Sequence, residues 1–102
     1  MSLFKFRILD WHEDINFNEE NELVCVPRLN DGLKSFHIVI DVNEIRITGF
    51  RSYTILDSDN NPTETTKVFF NDGSFVFAAN KLETFEQNYK SEYLSLFEIN
   101  KE

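Results

Sequence analysis

The chain has 102 residues, 41% hydrophobic and 15% aromatic with eleven Phe, and carries a formal charge of −8 from 18 acids against 10 Lys and Arg. That apolar content excludes a disordered chain and supports one domain spanning residues 1–102 with a single Phe-rich core. The charge disfavours nucleic acid and anionic membrane surfaces, both of which attract clustered Lys and Arg, and leaves a basic protein as the complementary partner.

Met1 to Arg7 lacks the apolar stretch of a signal peptide, and no apolar run approaches a membrane span, so a cytoplasmic location is expected. Leu3 to Leu9 alternates Phe4, Phe6 and Ile8 with Lys5 and Arg7, the period of a half-buried strand. Asp10 to Glu22 then holds six acids and no Lys or Arg. The segment reads as a long loop pinned by Trp11, Ile15 and Phe17 or as a short irregular helix, and the turn formers Asn16, Asn18 and Asn21 favour the loop.

Glu22 to Pro27 and Ser35 to Asp41 are rich in β-formers and flank Asn30-Asp31-Gly32, which predicts a first hairpin. Pro27 cannot donate to a ladder and places its strand at an edge or ends it. Phe36, Ile38 and Ile40 share one face of the second arm. Cys25, flanked by Leu23, Val24 and Val26, reads as a buried apolar residue, and a lone cysteine cannot form an internal disulfide.

From Glu44 to Leu56 the odd-position apolar pattern breaks at Gly49, where a bulge or bend is expected. Asp57 to Glu64 is a polar loop by composition. Thr66 to Phe70 and Ser74 to Ala78 flank Asn71-Asp72-Gly73 as a second hairpin, with the adjacent Phe69 and Phe70 on opposite faces. Asn80 as N-cap, with Glu83 at N3, opens a helix over about residues 81–96, whose stripe is Leu82, Phe85, Tyr89, Tyr93 and Leu96. The expected class is α+β: a twisted or partly closed antiparallel sheet of five to seven strands with that helix packed on one face. The strand, turn, strand and helix order of residues 66–96 is similar to the end of LytTR-type DNA-binding domains. Those read DNA through basic loops, whereas the turns here carry Asp57, Asp59, Glu64 and Asp72.

Motifs for chemistry are sparse. Asp57-x-Asp59-x-Asn61 begins like an EF-hand loop, but Pro62 and Val68 stand where Gly and a bidentate Glu are needed. His12, Glu13 and Asp14, with His37, lack metal-ligand spacing, and neighbours on an extended chain point apart. Cys25 and His37 across the first hairpin would lack an orienting third residue, and three glycines make no phosphate-cradling loop. No enzyme, metal or cofactor is therefore expected.

The expected function is non-enzymatic binding of a basic protein partner, as an interaction, inhibitor or immunity-type module. Asp10, Trp11, Glu13, Asp14, Phe17, Glu19, Glu20 and Glu22 form the candidate surface, with Trp11 and Phe17 as anchors inside an acidic rim. The alternatives are a self-associating subunit and a small-molecule binder with a Phe-lined pocket.

Overall fold

The computed structural model describes residues 3–30, 35–41 and 43–93. Their strands are β1 (Leu3–Leu9), β2 (Trp11–Phe17), β3 (Leu23–Leu29), β4 (Ser35–Asp41), β5 (Ile47–Leu56), β6 (Pro62–Phe70) and β7 (Phe75–Ala78). These make one open sheet in the order β2-β3-β5-β6-β7-β1-β4, followed by a single helical segment, α1 (Leu82–Asn88) continued as a π turn over Tyr89–Tyr93. The class is α+β, as expected. Every pairing is antiparallel except β3 with β5, which meet in parallel through the bridge Arg28↔Leu56.

Alternation in β1 buries Phe4 and Phe6 and exposes Lys5 and Arg7, as the sequence pattern requires. Its partner is β4, with Phe4↔Ile40, Phe6↔Ile38 and Ile8↔Phe36 in register. That ladder replaces the predicted first hairpin. Three apolar pairs on one face favour β1 over β3 as the partner of β4, and β3 lies near the other end of the sheet. The Asp31-Gly32 turn falls outside the described residues. Pro27 lies inside β3, at neither a terminus nor the sheet edge, but the second side of β3 is bridged only at Arg28.

The expected loop over residues 10–22 is instead a strand and a tight turn. Trp11–Phe17 pairs residue by residue with β3, from Trp11↔Leu29 to Phe17↔Leu23. The turn uses the Asn chemistry: Asn18 Oδ1 accepts the N–H groups of Glu20 and Glu22, and Asn21 adopts φ +62°.

The bulge at Gly49 is present, as the register shift between Ile47 and Gly49 shows. The polar loop contracts to Asp57–Asn61, with β6 starting at Pro62. The β6–β7 hairpin forms as predicted, with Gly73 at φ +89° in its turn. The helix does not use the predicted capping box. Its N-cap is Lys81, without a side-chain cap bond, while the Asn80 carbonyl accepts from Thr66 Oγ1 at 3.0 Å. Phe85 is buried and Leu82 and Tyr89 half-buried, whereas the Tyr93 side chain and Leu96 lie outside the described residues.

There are two core clusters. On one face α1 inserts Phe85 among Phe4, Phe6 and Phe50, at ring separations of 6.4, 5.4 and 5.2 Å, above Ile40, Ile47, Val68 and Phe70. The other face has its own cluster of Leu9, Leu29, Ile55 and Phe77, flanked by Trp11, Tyr53 and Phe75. Chain connectivity explains the second. Leu9 ends β1 and Trp11 begins β2, so the two strand ends lie within about 7 Å of each other. Their strands nevertheless stand sixth and first in the sheet. The sheet must curl at this end, and the second cluster fills the concavity.

Candidate functional site

Facing residues of paired strands share a side of the sheet. On the concave, helix-free side, β2 and β3 therefore present Trp11, Glu13, Ile15 and Phe17 beside Leu29, Pro27, Cys25 and Leu23. The same side of β5, β6 and β7 carries Arg51, Tyr53, Lys67, Phe69, Phe75 and Phe77. Trp11 stacks on Phe75 at 5.5 Å and meets Phe77 edge-on at 5.1 Å. The inner end of the β2–β3 ribbon thus closes over the aromatic floor, and its outer end runs on without cover.

The uncovered end exposes Phe17 (61%), Ile15 (68%) and Leu23 (65%). Cys25, paired with Ile15, is exposed too, contrary to the expected burial, because no element among the described residues covers this part of the ribbon. Three neighbouring large apolar side chains on one ribbon face leave an apolar surface that no packing among the described residues covers.

Arg28 fastens the ribbon to the body. Its Nε donates to Asp14 Oδ2 at 2.9 Å, and its Nη1 donates to the Asp57 carbonyl at 2.8 Å and to Asn60 Oδ1 at 2.9 Å. The guanidinium joins β2, β3 and the β5–β6 turn at the one point where β3 touches β5. Asp10 is also occupied, accepting from Asn30 Nδ2 at 2.6 Å, while Asn30 Oδ1 pairs with His12 Nδ1.

The predicted surface residues therefore divide. Asp10 and Asp14 hold the ribbon in place, and Trp11 belongs to the concave core. Phe17 projects outward, as an anchor would. Glu13 stands exposed on the apolar face, and Glu19, Glu20 and Glu22 surround the ribbon tip, all four without an ion pair among the described residues. Sequence reasoning missed Leu23 as an exposed apolar residue of the ribbon. Its only signal was apolar character at the start of a β-rich run, which burial explains equally well.

The Asp57 carboxylate accepts the N–H groups of Asp59 and Asn61 at 2.9 and 2.8 Å, closing its own turn. The Asn61 N–H, first among these backbone bonds, holds its pKa below the ordinary carboxylate value. His37 on β4 lies near the opposite end of the sheet from Cys25 on β3, so the pair does not form. No group of three His, Cys, Asp or Glu able to hold a metal occurs among the described residues, and no helix there is long and apolar enough to cross a membrane. The Phe side chains fill two packed clusters, and the opening they help to line is a surface groove of about 300 Å³ on the concave side. No family model, no curated protein and no solved structure matches this chain.

Proposed function

We propose that the protein is a non-enzymatic binding module that docks the outer half of the β2–β3 ribbon on a protein partner. The observation that carries the reading is the exposed triad Ile15, Phe17 and Leu23 on a ribbon whose inner half is anchored in the core. The triad supplies desolvation energy, and unpaired Glu13, Glu19, Glu20 and Glu22 around it supply orientation. The partner is accordingly an apolar groove rimmed by Lys and Arg, as an inhibitor or immunity-type target would offer. Against a basic rim the carboxylates raise the association rate, and the apolar contacts set the dissociation rate.

The test is capture of a partner from source-cell extract by the full chain and by a Phe17→Ser, Leu23→Ser variant. Removing two exposed apolar groups leaves stability within about 0.5 kcal/mol of the parent. A partner captured by the parent at moderate salt and lost by the variant supports the reading. A captured set identical for both proteins refutes it.

One observation favours a second reading, self-association. The edge strand β4 runs Ser35–Asp41 with Asp41 its only Asp, Glu, Lys or Arg, and exposes Phe36 (51%) and Val39 (53%). Such an edge is a template for pairing with another copy. Sedimentation at increasing concentration separates the two, since a monomer throughout leaves only the ribbon reading.

A further inference from the structure

We infer that the concave groove is a binding site for a flat apolar ligand bearing a carboxylate, held by Arg51 and Lys67. This site adjoins the outer ribbon, with Glu13 and Cys25 on its lining, but its argument does not rest on the docking reading. Arg51 on β5 and Lys67 on β6 are direct cross-strand partners. Like charges placed opposite each other repel, and on an ordinary sheet face an acid would be expected beside them. The chain has 18 acids, yet neither cation has a carboxylate within 4.0 Å among the described residues.

Aromatic faces hold the two cations instead. Lys67 Nζ lies 4.2 Å from the centroid of Phe75, 5.3 Å from Phe69, 5.5 Å from Tyr53 and 5.8 Å from Phe77. The Arg51 guanidinium carbon is 6.0 Å from both Tyr53 and Phe69. Ring quadrupoles stabilise each cation but do not cancel the repulsion between them. One carboxylate placed between them would do so, accepting from both in a charge-assisted arrangement.

The surroundings define the rest of the ligand. The groove of about 300 Å³ has Trp11, Tyr53, Phe75 and Phe77 along its walls, and that volume suits a one- or two-ring compound. Trp11 and Phe75 stack on each other, 26° apart at 5.5 Å, and form an aromatic wall whose rim an aromatic ligand would meet. Glu13 lines the same groove and disfavours a second negative charge, which selects a monocarboxylate over a phosphate monoester.

Trp11 is the only tryptophan in the chain, so its fluorescence reports on the groove directly. The full chain is titrated with benzoate, with neutral benzyl alcohol, with inorganic phosphate, and with N-acetylphenylalanine against its amide. Benzoate is expected to give a saturable response, and benzyl alcohol and phosphate at least tenfold weaker ones. N-acetylphenylalanine binding more tightly than benzoate, with its amide silent, identifies a peptide C-terminus as the source of the carboxylate. The reverse order identifies a free aryl acid.

Lys67→Met and Arg51→Gln are each expected to weaken benzoate roughly 10- to 100-fold, the effect of losing one charge-assisted bond. Each changes the melting temperature little, because the relieved repulsion offsets the lost cation–π contacts. Glu13→Gln tightens binding. The assignment is overturned by an unsaturable benzoate response, by benzyl alcohol or phosphate binding as well as benzoate, by Glu13→Gln weakening it, or by folded Lys67→Met and Arg51→Gln binding it unchanged.

Discussion

Replacing Arg28 by Ala should loosen the ribbon from the body while leaving the rest of the sheet intact. The side chain makes three hydrogen bonds and is only 12% exposed, although its Asp14 partner is 44% exposed. A partly exposed ion pair contributes about 0.5 kcal/mol. The two bonds to the β5–β6 turn come from a charged donor, at roughly 1.5 kcal/mol each at the low end of the measured range. The loss is then about 3.5 kcal/mol, or a fall in melting temperature of roughly 14–28 °C for a domain of this size. Arg28→Lys keeps the charge but not the fork, so it should recover only about a third of that.

Urea denaturation gives the total, and native-state hydrogen exchange shows where it falls. Amides of β2 and β3 should lose protection first, because Arg28↔Leu56 is the single bridge between β3 and β5. Amides of β1, β6 and β7 should keep theirs. A total loss below about 1 kcal/mol, or an equal loss of protection across all strands, would refute the reasoning that Arg28 is the ribbon's fastening.

Two further outcomes follow from local geometry. Gly73 sits at φ +89°, so Gly73→Ala should cost about 1–2 kcal/mol by thermal melting, whereas an added Cβ at Gly49 meets nothing within 4 Å and Gly49→Ala should be neutral or stabilising by up to about 1 kcal/mol. In acid, Asp57 and Asp72 have folded pKa values below their ordinary 3.8, held down first by the Asn61 N–H and by the Ser74 hydroxyl respectively. Their unfolded forms bind protons first as pH falls, so their contribution is complete above the ordinary value and is lost on descent through 3.8 toward the folded values. Asp57→Asn and Asp72→Asn should flatten the fall in stability below pH 4 measured by urea melts, and an unchanged slope in both would count against those turns as the cause.

Strand alternation carried much of the fold in the sequence. Phe4, Phe6 and Ile8 marked β1, Asn71-Asp72-Gly73 marked the β6–β7 turn, the interruption at Gly49 marked the bulge, and Leu82, Phe85 and Tyr89 marked the helix face. These signals are local, each set by neighbours a few residues away. Glu13 interrupts the apolar series Trp11, Ile15 and Phe17, and three Asn residues nearby imitate a loop. Residues 11–17 become a strand because β3 offers a matching register across a tight Asn18–Glu22 turn.

For the candidate surface the division is similar. The sequence by itself concentrated six acids and two large aromatics in residues 10–22. Only the tertiary structure decided that Trp11 turns inward, that Asp10 and Asp14 are spent on holding the ribbon, and that Leu23 faces out beside Phe17. The same holds for Arg51 and Lys67, which lie 16 residues apart and come into register through the β5–β6 hairpin. The physical reason is strand pairing: which residues face each other, and which side they share, depends on the partner strand chosen by long-range packing, and that choice leaves no local periodicity to read.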